Sequence, residues 1–182
     1  MILFINACVR KDSRTKKIAD LLLSKLGDFV CEVRLSEVDF PKTDEDFLKW
    51  RDACIGAGDF SAPYFELGKQ FAAADVIVMA APYWDMSFPA VLKQYIEHIN
   101  IRGVTFAYGA DGIPYGLCRA RKLYYVMTAG GDYVPEGFGF GYIKALAEGF
   151  YGISQVELIK AVGLDIYGAD VEEIMKSCIE KL

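Results

Sequence analysis

Apolar residues along this chain fall into short continuous runs, separated by stretches in which they recur every three or four positions. Ile2–Asn6, Val76–Ala80 and Leu123–Thr128 are nearly unbroken apolar runs, the pattern of parallel strands covered on both faces. Phe29–Leu35 differs, because Glu32 and Arg34 alternate with Cys31, Val33 and Leu35. That alternation predicts a half-exposed edge strand. Val156–Val162 carries Glu157 and Lys160 and reads as the opposite edge.

Helical spacing fills the intervals. After Thr15, residues Ile18, Leu21, Leu22 and Leu26 share one face and Gly27 stops the helix. After Ser87, residues Phe88, Val91, Leu92, Tyr95, Ile96 and Ile99 recur at helical period, with Pro89 tolerated in the first turn. Glu136–Gly152 predicts a helix that starts late because of Gly137, Gly139 and Gly141. A final helix is capped by Asp170 and Glu173 and buries Val171, Ile174, Met175, Cys178 and Ile179. Residues 41–75 read as an elaborated crossover: an acidic loop, Gly56-Ala57-Gly58, and a helix near Tyr64–Ala74.

Strand and helix alternate throughout, which predicts one three-layer α/β/α domain over residues 1–182. With the two polar strands at its edges, a five-stranded parallel sheet takes the order 2-1-3-4-5. Its switch point lies between strands one and three. Ligands of such sheets bind outside the carboxyl ends of the strands, so Ala7–Thr15 and Ala81–Ser87 are the expected site.

Composition narrows the chemistry. The chain has 182 residues, 53% apolar and 25% charged, an ordinary globular balance. A net charge of −5 argues against general binding to nucleic acid or anionic membrane. No apolar run approaches the ~20 residues of a bilayer span, and Ile2–Ile5 precedes the basic residues, the wrong order for a signal peptide. A cytoplasmic protein is expected. Five dispersed cysteines without CxxC spacing fit free thiols in a reducing compartment. The single histidine, His98, argues against a metal site or a Ser-His-Asp triad. It sits off the main apolar stripe of its helix and reads as a surface or dimer-contact residue. Cys118 and the charge run Arg119–Lys122, at the far end of the fourth strand, read as a solvated turn. Redox or group-transfer chemistry then needs an imported cofactor.

Three loops at strand ends carry candidate chemistry. Arg10–Lys17 holds five basic residues and one acid, a local charge of +4, and it opens a helix. Cations at a helix N-terminus oppose the helix dipole unless an anion sits there, so Arg10, Ser13, Arg14 and Thr15 read as a phosphate site. The alternative use of Ser13 or Thr15 is as an ordinary helix cap. Pro82, Tyr83, Trp84, Asp85 and Met86 follow the third strand and offer a flat apolar surface for an aromatic ring. Thr128, Ala129, Gly130 and Gly131 end the fourth strand, where paired glycines let backbone N–H groups approach a ligand. Phosphate loop, aromatic loop and glycine loop together suit a ring-bearing nucleotide such as flavin mononucleotide (FMN).

The motifs Ser13-Arg14-Thr15, Ala81-Pro82-Tyr83-Trp84, Phe88-Pro89-Ala90-Val91-Leu92-Lys93 and Gly130-Gly131 resemble those of the flavodoxin-like NAD(P)H:quinone oxidoreductases, including FMN-dependent azoreductases. The resemblance covers nearly the whole chain. It implies bound FMN, with backbone near Trp84–Met86 at the flavin N5 edge and Thr128–Gly131 at the pyrimidine edge. It also implies ping-pong hydride transfer from NAD(P)H to quinones or azo compounds, with no obligatory catalytic side chain and no metal. Asp85 and Tyr133 are candidate walls of the substrate pocket, and a homodimer is expected.

Two other readings stay open at this stage. Cys8-x5-Arg14-Thr15 matches the phosphate loop of low-molecular-weight tyrosine phosphatases, with Cys8 as nucleophile and Arg14 as phosphate ligand. Against it, the loop lacks glycine and the chain lacks an Asp-Pro pair. A non-enzymatic flavodoxin-like electron carrier is the other.

Overall fold

In the computed structural model, which describes residues 1–27 and 29–180, strands and helices alternate from the first residues onward. The order is β1 (Ile2–Asn6), α1 (Arg14–Leu26), β2 (Val30–Arg34), α2 (Glu45–Ala57), α3 (Glu66–Ala73), β3 (Val76–Ala80) and α4 (Ala90–Ile99). Then come β4 (Phe106–Tyr108), β5 (Pro114–Gly116), β6 (Lys122–Thr128), α5 (Phe140–Leu146), β7 (Gln155–Ala161) and α6 (Val171–Glu180). Lys181 and Leu182, the end of the expected domain, lie outside the described residues.

β2, β1, β3, β6 and β7 form one parallel sheet in that order, which is 2-1-3-4-5 when only its own strands are counted. The residue patterns explain the order. β1 is buried at every position, whereas β2 and β7 alternate between buried and solvent-facing residues, as strands at an edge must. Leu3 and Ile5 pack one side of the sheet with Phe71, Leu92, Tyr95 and Ile143 from α3, α4 and α5. Ile2 and Phe4 pack the other with Ile18, Leu22 and Ile179 from α1 and α6. Register aligns Asn6 with Ala80 and Ala80 with Val126, while β6 runs on to Thr128 opposite Ala161. The carboxyl ends of the strands therefore open at one rim.

Three features depart from the expectation. The segment read as an acidic loop holds α2, which has no fully buried residue; its inner face (Phe47, Leu48, Arg51, Cys54 and Ile55) is only half-buried and is interrupted by Arg51. Its ends are well made: the Asp44 side chain accepts from Phe47 N, and Gly58 closes it with φ 67°. Between α4 and β6, β4 and β5 form a small antiparallel ribbon. The expected helix 136–152 is broken into a 3-10 turn (Glu136–Phe138), α5 and a π-turn (Ala147–Tyr151). Among the described residues no helix is long and apolar enough to cross a membrane.

His98 is not on the surface; it is 8% exposed. Its Nε2–H donates to the Tyr64 carbonyl at 2.7 Å, and its ring lies 4.1 Å from that of Tyr64 and 5.7 Å from that of Phe40. The stripe model failed because residues 40 and 64, outside the main layers, cover this side of α4. Burial pushes the imidazole pKa below its ordinary value, and the hydrogen bond to Tyr64 only partly opposes this. A folded pKa below the unfolded value near 6.5 means the unfolded chain binds the extra proton first. Stability is thus intact above pH ~6.5 and falls as pH drops through the window below it. With one histidine in the chain, thermal melts between pH 7 and 5.5 isolate this effect. The melting temperature of the native chain is expected to fall across that range and that of His98→Gln to stay nearly level. Parallel slopes would acquit His98.

Candidate functional site

The rim of strand ends encloses a cavity of about 270 Å³, near the lower end of the ~300–1,000 Å³ usual for small-ligand sites. One wall is the turn that opens α1. Ser13 is its N-cap: the hydroxyl oxygen accepts from Lys16 N at 3.3 Å, while Ser13 N donates to Arg10 O at 3.2 Å. The cap uses an oxygen lone pair, and the hydroxyl proton, which is within reach of Cys8 Sγ, can turn to an anion in the cavity, so capping and anion binding are compatible. The N-terminal N–H groups of α1 have no partners within the helix, and Val9, Arg10, Asp12, Ser13, Arg14 and Thr15 line the cavity beside them.

The second wall is the loop after β3. Tyr83 N donates to Thr128 O at 2.9 Å, tying this loop to the end of β6. Trp84 and Ser87 then exchange backbone hydrogen bonds of 3.0 and 2.8 Å around a two-residue turn. Asp85 and Met86 occupy it with φ 49° and 66°, a left-handed conformation that costs non-glycine residues on the order of 1 kcal/mol or more each. The turn holds Trp84, Asp85 and Met86 out as exposed side chains at the rim. Pro82, Tyr83 and Trp84 line the cavity; Asp85 and Met86 lie just beyond it.

Thr128, Ala129 and Gly130 form the third wall. Gly131 and Tyr133 are outside the lining, the latter 78% exposed. A fourth wall was not anticipated. Leu164 and Asp165, from the loop after β7, line the cavity because this loop pairs with the glycine loop: Gly163 N donates to Gly131 O, Leu164 N to Ala129 O and Asp165 N to Gly130 O at 2.9–3.2 Å. A Cβ on Gly130 would stand 2.3 Å from Asp165 Oδ2 and 3.0 Å from its Cγ, so any larger residue there would push the Asp165 carboxylate from its present place. Arg14 clamps the same loop, with Nη2 2.8 Å from Asp165 Oδ1 and Nη1 3.2 Å from Leu164 O. Its guanidinium is therefore partly engaged, and Arg10 is the arginine of the loop left exposed.

Beneath the Arg10–Thr15 loop, Cys8 Sγ donates to Ala80 O at 3.7 Å. Burial raises its pKa, outweighing the lowering by Ser13 and Lys16. A phosphatase nucleophile needs the opposite shift and a free arginine. The Cys8–Arg14 pair offers neither, which removes the ground for the phosphatase reading.

A family model described as flavodoxin-like fold matches residues 1–182. A protein of Clostridium perfringens named FMN-dependent NADH:quinone oxidoreductase is 35% identical over 189 residues, covering 99% of this chain and 94% of its own. A protein of the same name from Lachnoclostridium phytofermentans is also 35% identical, with the same coverage. Among solved structures, the azoreductase of Bacillus anthracis strain Sterne superposes with a TM-score of 0.83 at 26% identity, covering 99% of this chain and 95% of that one.

Proposed function

We propose that this chain, which belongs to the flavodoxin-like fold family, is an FMN-dependent NADH:quinone oxidoreductase of the azoreductase kind. The observation that carries this reading is the convergence of an anion-suited helix N-terminus, an aromatic loop and a glycine loop on one cavity. FMN, when bound, would supply hydride-transfer chemistry between a nicotinamide and a quinone or azo acceptor, in a ping-pong sequence. The chain's own part is to hold and orient. Ser13, Thr15 and the first N–H groups of α1 hold the phosphate, with Arg10 adding charge from the rim.

The strained turn at Asp85–Met86 fixes the backbone that would face the ring, and Gly130 and Gly131 would supply N–H groups on the other side, the Ala129 N–H being engaged by Ala161 O at 2.9 Å. No side chain of the site is needed as general acid or base. Asp85 and Tyr133, just outside the cavity, bound the space over the ring where an acceptor stacks. Exposed Trp84, Met86, Tyr133 and Phe138 give these loops an apolar border suited to a flat acceptor and to a second subunit closing over it.

The test is direct. The purified protein is expected to be yellow, to release FMN on heating, and to bleach anaerobically with NADH and recover with a quinone. Failure to take up FMN sinks the proposal, and bleaching that needs a separate reductase makes the chain an electron carrier.

A further inference from the structure

The hydroxyls of Thr15 and Thr128 lie 2.7 Å apart, joining residues 113 positions apart in sequence at the base of the cavity. Thr15 is 1% exposed and Thr128 9%, and both line the cavity. Two hydroxyls carry two protons, and only one fits between oxygens this close. Among the described residues neither hydroxyl makes a second hydrogen bond. The second proton therefore needs an acceptor that the protein does not supply, in a position where leaving it unpaired is costly.

The two senses of the pair differ in what they serve. If Thr15 donates to Thr128, the spare proton belongs to the end of β6. If Thr128 donates to Thr15, the spare proton belongs to the second residue of α1, at the positive end of the helix. There it adds to the free N–H groups of the first turn, which favour an anion. An anionic oxygen is the strongest acceptor available to the pair, so its arrival selects the second sense.

We infer that Thr128 is a positioning residue for the phosphate site: it donates to Thr15 and so fixes the Thr15 hydroxyl as a donor to the bound phosphate monoester. This rests on the reading of the cavity as an FMN site, and it assigns Thr128 to the phosphate tail rather than to the pyrimidine edge of the ring. The backbone of Thr128 has a separate role, since its carbonyl accepts from Tyr83 N.

The experiment compares FMN with riboflavin, which lacks the phosphate, by fluorescence titration of the flavin-free protein. Thr128→Val keeps the shape and removes the donor; it is expected to weaken FMN binding roughly tenfold, the effect of one hydrogen bond. Riboflavin binding should change less than about twofold by the same reasoning. Thr128→Ser should restore FMN affinity, and Thr15→Val with Thr128→Val should be no weaker than Thr15→Val alone. Equal losses for both ligands, no rescue by serine, or independent losses in the double variant would overturn the assignment of Thr128 alone. If the unmodified protein does not bind FMN, the cofactor reading falls and the assignment falls with it.

Discussion

Arg10→Glu combined with Ser13→Ala is expected to weaken FMN binding by about a hundredfold or more while lumiflavin, the ring without ribityl phosphate, changes by less than about threefold. The size follows from the groups removed. A hydrogen bond to a charged group contributes about 1.5–3 kcal/mol, and Ser13 stands at the N-terminus of α1, lining the cavity with a hydroxyl able to donate one. Reversing the exposed charge of Arg10 adds repulsion of a phosphate that carries nearly two negative charges, moderated by solvent. Ser13→Ala also removes the cap of α1, at a cost of about 1 kcal/mol of stability. That loss lowers the melting temperature of the free protein and leaves the ratio of the two ligand affinities untouched. The ratio, measured by fluorescence titration at a temperature well below the melt, is thus the diagnostic. A similar loss for both ligands would show that the loop holds no phosphate.

The parts of this site that were legible in the sequence are those that depend on local pattern. Continuous apolar runs at Ile2–Asn6, Val76–Ala80 and Leu123–Thr128 identify central strands, and the charges of Glu32, Arg34, Glu157 and Lys160 identify the edges. From these the sheet order follows, and with it the three loops at one rim. The structure brings Arg10, Ser13, Arg14, Thr15, Pro82, Tyr83, Trp84, Thr128, Ala129 and Gly130 to a common cavity. What escaped was set by long-range register. Asp165 reaches Arg14 across 151 positions, through a backbone pairing of two loops that neither loop announces. A hint was present: Gly163-Leu164-Asp165 follows the carboxyl end of β7, where ligands of such sheets are expected. α2 escaped for a different reason. Its inner face is only half-buried and is broken by Arg51, so its caps, Asp44 and Gly58, were the clearer signal. β4 and β5, three residues each, are too short for alternation to register.

The β4–β5 ribbon is also where a single methyl group should do the most damage. Gly116 ends β5 against the π-turn, and a Cβ there would stand 2.0 Å from Tyr151 C, 2.1 Å from its O and 2.2 Å from Gly152 N. All three are backbone atoms, so no side-chain rotation relieves the clash. The turn cannot retreat easily either. Gly152 closes it with φ 73° and Ile153 N donates to Ala147 O at 2.8 Å. The Tyr151 ring is 2% exposed, packs 4.9 Å from Phe71, and donates its hydroxyl to Asn100 Oδ1 at 2.7 Å. Gly116→Ala must therefore lift the ribbon off the turn or drag Tyr151 out of the core. Overpacking typically costs about 1–3 kcal/mol, and this clash belongs at or above the upper end. For a chain of this size about 3 kcal/mol corresponds to roughly 6–12 °C in melting temperature. Gly149→Ala is the matched control: it lies in the same π-turn, and nothing stands within 4 Å of its built Cβ, so its melt should shift by less than about 3 °C, within a propensity change of about 1 kcal/mol. Because the ribbon contributes no residue to the cavity lining, Gly116→Ala protein held below its melt should keep FMN affinity within about twofold, as expected of distant, independent sites. A melt within about 2 °C of the parent would show that the ribbon and the turn are free to separate.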